Sequence, residues 1–264
     1  MAKIGFRLLV AAATAYLAVL AILFTFQSSF IYPAPQEATD PPPGFEAVTL
    51  QTADDLALTA HWRPAEDGKA TLVWFHGNGG SLAGSAYETR VLGGKGYGLL
   101  LAPYRGYGGN PGDPSEEGFY QDGRAAMEFL KSQGVPTDLT IVAGNSIGSG
   151  TAVEMAGEFD PVALVLVAPF SSLTDAASDA LPIFPVQFLL RDRFDNAAKL
   201  PSLTSPILIL HGTADSVVPF EQGQGLASRS EHARFIAFEG ANHNLSFSRD
   251  AQQAQADWLN ELGF

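Results

Sequence analysis

The chain has 264 residues, 46% of them hydrophobic, and a formal net charge of −13. That hydrophobic share excludes a disordered chain, and an acidic balance without any Lys/Arg cluster argues against a nucleic-acid partner, because phosphate binding needs a basic footprint. There is no cysteine, so disulfides, thiol nucleophiles and thiolate zinc sites are ruled out.

Residues 8–26 carry no charge. As a helix they span roughly 28 Å, close to the thickness of a hydrocarbon core. Lys3 and Arg7 precede this stretch. The flank from Gln27 to Trp62 holds Glu37, Asp40, Glu46, Asp54 and Asp55 but no Lys or Arg. The positive-inside rule then places the N-terminus in the cytoplasm and the rest of the chain on the other side, periplasmic or extracellular. A cleaved signal peptide is the alternative, but it would be shorter and end in a small-residue cleavage site. Here the stretch runs on through Phe30, Ile31 and Tyr32 to Pro33, which favours an uncleaved single-pass anchor. Residues 1–32 are read as that anchor, 33–44 as a Pro-rich linker and 45–264 as one domain.

Within the domain, 45–50 and 56–63 alternate apolar and polar residues around Asp54 and Asp55, as an antiparallel pair does. Residues 70–75 form a continuous apolar run, expected of a strand buried on both faces. From there strands (98–102, 139–143, 162–168, 207–210, 234–238) alternate with helices (115–132, 151–158, 219–230, 250–262). The alternation predicts an α/β fold with a mainly parallel sheet flanked by helices.

The chemistry centres on Gly144-Asn145-Ser146-Ile147-Gly148, between an apolar β-branched run and a helical segment. Gly-x-Ser-x-Gly in that setting is a nucleophile elbow: a sharp turn lifts the serine hydroxyl above the sheet edge. A serine needs a base, and the base needs an acid to orient it. On folds that carry this elbow the chain order is serine, acid, histidine, all at the carboxyl ends of strands. Of the five histidines, only His243 satisfies both order and edge. Asp215, just after 207–210, is the acid candidate; its other reading is a cap for the helix near Pro219, and Asp175 and Asp195 are rivals. The oxyanion hole is assigned to the backbone N–H groups of Ile147 and of Asn78, with Gly77 as the alternative to Asn78. The loop His76-Gly77-Asn78-Gly79-Gly80 lacks the Lys-Ser/Thr of a phosphate-binding loop.

His76-Gly77-Asn78-Gly79, the run from Tyr104-Arg105-Gly106-Tyr107-Gly108-Gly109 to Pro114-Ser115-Glu116-Glu117-Gly118, the elbow, His211-Gly212-Thr213-Ala214-Asp215 and Asn242-His243 follow one another in this order. Together they resemble the α/β-hydrolase superfamily. The similarity is greatest to its membrane-anchored branch, the α/β-hydrolase domain-containing proteins, which includes lysophospholipases and depalmitoylases. The resemblance covers the chain from about Phe30 to its end. It implies an α/β-hydrolase fold, Ser146 as nucleophile, Asp215 as acid and His243 as base, with no metal and no organic cofactor. One departure is Ser149, where many members have glycine. Arg105 is read mainly as scaffold, with contact to an anionic substrate as the alternative.

The connection between 162–168 and 207–210 is longer than usual and is read as a lid over about 171–205. Its apolar run 181–190 makes Phe184 and Phe188 the candidate substrate-binding residues. These readings converge on a membrane-anchored serine hydrolase that cleaves a small-molecule or lipid-like acyl ester or thioester. A serine peptidase on the same fold is the rival enzyme, and a non-catalytic binding module is the reading from another class. The sequence does not indicate an oligomeric state.

Overall fold

The computed structural model describes residues 2–264. Eight strands form one sheet: β1 (Glu46–Gln51), β2 (Ala57–Arg63), β3 (Thr71–Phe75), β4 (Gly98–Ala102), β5 (Thr140–Asn145), β6 (Ala163–Val167), β7 (Ile207–Gly212) and β8 (Ala233–Phe238). Their spatial order is β1-β2-β4-β3-β5-β6-β7-β8. The β1–β2 and β2–β4 pairs are antiparallel, and every other neighbouring pair is parallel.

The central strands are buried along their whole length and mostly apolar because both faces are covered, with polar residues only near their ends (Thr71, Thr140, Asn145 and His211). Leu72, Trp74, Ile141, Val165 and Leu208 point into one core, and Val73, Phe75, Val142, Leu166 and Ile209 into the other. The first core is closed by Leu92 of α3 (Arg90–Gly94) and by Trp258 and Leu259 of α10 (Arg249–Glu261). The second is closed by Phe119 and Met127 of α4 (Glu116–Ser132), by Ala152 and Met155 of α5 (Gly148–Phe159) and by Leu226 of α9 (Phe220–Ala227). Ser115 caps α4 by accepting from the Gly118 N–H at 3.1 Å, and Glu116 and Glu117 occupy its positive end. A short helix the sequence pattern did not predict, α2 (Leu82–Glu88), follows the glycine-rich loop after β3.

Helix α1 (Ala2–Ile31) extends well beyond residues 8–26 at both ends. From Lys3 to Ile31 it is long and apolar enough to cross a membrane. Its second half lies along the connection between β6 and β7. That connection holds α6 (Leu173–Ala180), α7 (Val186–Leu189) and α8 (Asn196–Lys199). Tyr16 donates to the Ile183 carbonyl (2.9 Å), Gln27 donates to the Leu189 carbonyl (3.2 Å) and accepts from the Arg191 N–H (2.9 Å), and Tyr32 donates to Asp192 (2.7 Å). The proline-rich segment after α1 has no helix or strand. It rests on the Tyr104–Gly109 turn, where the Gly108 N–H donates to Pro35 at 2.7 Å.

Candidate active site

Ser146 occupies the turn between β5 and α5. Its φ is +53°, in the left-handed region, which costs a residue with a Cβ about 1–2 kcal/mol. The surroundings enforce it. A Cβ on Gly144 would collide with the Gly148 carbonyl, and one on Gly148 with the Phe75 carbonyl. The Ser146 N–H donates to Val167 at 2.9 Å, which ties the turn to β6. Ser149 is fully buried and accepts from the Asn196 amide at 3.2 Å, so the departure from glycine there is accommodated.

His243 opens a 3-10 turn after β8, and Asp215 follows β7. His243 Nδ1 lies 2.7 Å from Asp215 Oδ2, and its Nε2 lies 3.0 Å from Ser146 Oγ. A proton on Nδ1 is then held by the carboxylate, and the Nε2 lone pair faces the serine hydroxyl. Asp215 is buried. Burial alone would raise its pKa, but hydrogen bonds from His211, His243 and the Val218 N–H outweigh it and hold the carboxyl well below the ordinary range. Its Oδ1 accepts from the N–H groups of Val217 and Val218, both at 2.9 Å, so it also shapes the turn before α9. His211 Nε2 lies 3.0 Å from the Val218 carbonyl and 3.3 Å from Asp215 Oδ2.

Ser146 and His243 border a cavity of about 650 Å³, which Ile147, Gly77 and Asn78 also line. Among the described residues, neither the Asn78 nor the Ile147 N–H donates to another backbone or side-chain group. The Asn78 side chain pins its loop: its amide donates to the Ile31 carbonyl (2.6 Å), and its oxygen accepts from Tyr107 (3.0 Å). The Nδ1–H of His76, at the start of this loop, donates to the Gly77 carbonyl (2.9 Å). Burial lowers the His76 pKa to about 4, which keeps the ring neutral. Arg105 belongs to the scaffold: it pairs with Asp54 (2.8 Å) and Asp122 (2.9 Å) and does not line the cavity.

Phe184 and Phe188, expected to bind substrate, do not line the cavity. Phe184 stacks on Tyr16 of α1 with ring centroids 5.6 Å apart, and Phe188 is 81% exposed. The Pro182 and Pro185 turns direct this run outward, where α1 supplies an apolar partner. The part of this connection that lines the cavity is instead α6, through Leu173, Ala176, Ala177 and Ala180. Their i, i+3, i+4, i+7 spacing is one helical face and was readable in the sequence. Phe30 and Ile31 at the end of α1 complete the lining, a contact that no sequence signal announces. Among the described residues, no group of three His, Asp or Glu is placed to hold a metal ion.

No protein-family model matches the chain. A Mycobacterium tuberculosis protein described as uncharacterized is 35% identical over 236 residues, 86% of this chain and 83% of that protein. Human alpha/beta hydrolase domain-containing protein 17B is 32% identical over 185 residues, 69% of this chain and 63% of that protein. Among solved structures, the Pyrococcus furiosus esterase Pf2001 superposes with TM-score 0.67 at 19% identity, covering 87% of this chain and 94% of the esterase. Est1E from Butyrivibrio proteoclasticus, bound to ferulic acid, superposes with TM-score 0.68 at 19% identity, covering 81% of this chain and 98% of that one. By sheet order, elbow and relatives alike, the chain belongs to the α/β-hydrolase superfamily.

Proposed function

We propose that the protein is a serine hydrolase that cleaves a carboxylic ester or thioester through an acyl-enzyme on Ser146. The observation that carries the reading is the continuous contact from Asp215 through His243 to Ser146, 2.7 and 3.0 Å, at the wall of a cavity. Ser146 Oγ attacks the acyl carbon while His243 Nε2 takes its proton. The charge on the carbonyl oxygen is met by the N–H groups of Asn78 and Ile147. The alcohol or thiol then leaves with the proton from His243, and water, deprotonated by the same nitrogen, releases the acid. Asp215 stays ionised and holds the ring in the tautomer each step requires.

The apolar lining from α6, together with Phe30 and Ile31, supports an acyl chain as the bound group. Because two of those residues end the apolar helix, a lipid-like substrate of the membrane is the favoured class. Fluorophosphonate labelling tests the chemistry: the wild type labels and Ser146→Ala does not. A folded wild type that fails to label overturns the reading. For topology, Lys3 and Arg7 in the first turns of α1, ahead of the uncharged residues 8–26, favour a cytoplasmic N-terminus with the catalytic domain on the other side. Protease added to spheroplasts, which have lost any outer barrier, then digests the domain; full protection there reverses the orientation.

A further inference from the structure

Glu88, the last residue of α2, is 4% exposed and plays no part in the steps above. A buried carboxylate is costly unless donors surround it. Here they do. Oε2 accepts from the Trp74 indole N–H at 2.9 Å. Oε1 accepts from the Ser246 hydroxyl at 2.7 Å and from the Asn145 amide at 3.2 Å. The Asn145 amide also reaches Ser246 Oγ at 3.1 Å, which closes a triangle.

The partners' positions give the triangle its meaning. Asn145 immediately precedes Ser146. Ser246 lies in the same 3-10 turn as His243, one turn further on. The helix that ends in Glu88 is capped by Ser81, directly after the loop that carries Asn78. A second tie reinforces the arrangement, since the Gln252 amide bonds the carbonyls of Ser246 (2.8 Å) and Tyr87 (3.2 Å). Trp74 anchors the whole cluster to β3 within the sheet.

We propose that Glu88 is a positioning residue: its carboxylate fixes the loops bearing Ser146, His243 and Asn78 relative to one another, and so sets the 3.0 Å approach of His243 to Ser146. The proposal rests on the serine-hydrolase reading for its kinetic consequence, but not for its geometric one. A structural role elsewhere in the core would alter stability alone. A role in positioning lowers kcat while leaving KM nearly fixed, because the hydroxyl–imidazole alignment matters to chemistry more than to binding.

The experiment uses the full-length chain in detergent micelles with a p-nitrophenyl ester and a fluorophosphonate probe. Glu88→Ala is expected to lower kcat and the labelling rate about 10- to 100-fold, with KM changed less than about threefold. Glu88→Gln keeps an acceptor for Ser246 and Asn145 and is expected to recover kcat to within about fivefold of wild type. Ser246→Ala removes the two bonds that Ser246 Oγ makes in the triangle, to Glu88 and from Asn145, and is expected to cost about threefold or more in kcat with little change in Tm. It carries the test if Glu88→Ala does not fold. A folded Glu88→Ala, or in its absence Ser246→Ala, with wild-type kcat overturns the proposal. So does Glu88→Gln as impaired as Glu88→Ala. If the wild type neither labels nor turns over, the hydrolase reading fails. Crystal structures of the variants then decide the positioning claim: a longer Ser146–His243 separation supports it, and an unchanged one overturns it.

Discussion

The elbow and the long connection between β6 and β7 sit at the same edge of one sheet, yet they are encoded differently. The elbow is held by backbone sterics. Gly144 and Gly148 face carbonyl groups with no space for a side chain, and Ser146 takes φ +53° because its neighbours leave it no other path. The residues that permit the turn lie within five consecutive positions, and the one distant contact that constrains them is backbone, the Phe75 carbonyl of β3. The connection between β6 and β7 has no such internal constraint. Its apolar run meets α1, distant in sequence, through the Phe184–Tyr16 stack and the Tyr16 and Gln27 hydrogen bonds. A motif fixed by local sterics can be read from a short window. A segment whose orientation depends on its partner cannot.

The largest expected effect breaks the elbow. Gly148→Ala forces a Cβ against the Phe75 carbonyl, which belongs to β3 and cannot move aside. It is expected to cost about 3 kcal/mol of stability and to abolish fluorophosphonate labelling. Gly157→Ala, in the same helix, is the control. Its added Cβ meets only Leu203 Cδ2 at 3.6 Å, and it is expected to gain about 0.5 kcal/mol by restricting the unfolded chain. Thermal unfolding and labelling of both variants test the contrast. A labelled, stable Gly148→Ala would show that the turn is not held by sterics.

The same distinction explains how much was legible. The sheet was, because strands buried on both faces carry continuous apolar runs without alternation, as in residues 72–75, 141–144, 163–167 and 207–210. The meeting of Ser146, Asp215 and His243 followed from chain order and strand edge. Helices α2 and α3 were not legible, because Gly84, Gly93 and Gly94 weaken the helical pattern. Glu88 was not, since a carboxylate ending a short helix reads as solvated until Trp74, Asn145 and Ser246 are seen around it. Phe30 and Ile31 read only as the end of the anchor, although both line the cavity.

A smaller effect sharpens the lid's side of the comparison. Ala177 lies on the α6 face that lines the cavity. In Ala177→Phe the added ring takes space that an acyl chain would fill. If it displaces two methylenes, at about 0.8 kcal/mol each, kcat/KM for octanoyl esters falls about tenfold or more. Acetyl esters, which do not reach that depth, are expected to keep near wild-type values. A uniform loss across chain lengths would mean that α6 packs as core and does not measure the chain.

The smallest effects belong to the two phenylalanines. Phe184→Ala removes the stack on Tyr16, a contact of about 0.5–1.5 kcal/mol beyond buried area, and loosens the lid from α1. Because Phe184 does not line the cavity, the ratio of octanoyl to acetyl turnover is expected to survive. Phe188 touches still less. At 81% exposed, its loss is expected to shift stability by less than about 0.5 kcal/mol and to leave the chain-length ratio unchanged within about twofold. The assay is decisive because Phe188 is too exposed to act through packing. A flattened chain-length ratio in Phe188→Ala would therefore require the lid to turn during catalysis and carry that ring toward Ser146. The lid's orientation would then be set by the bound substrate as well as by α1.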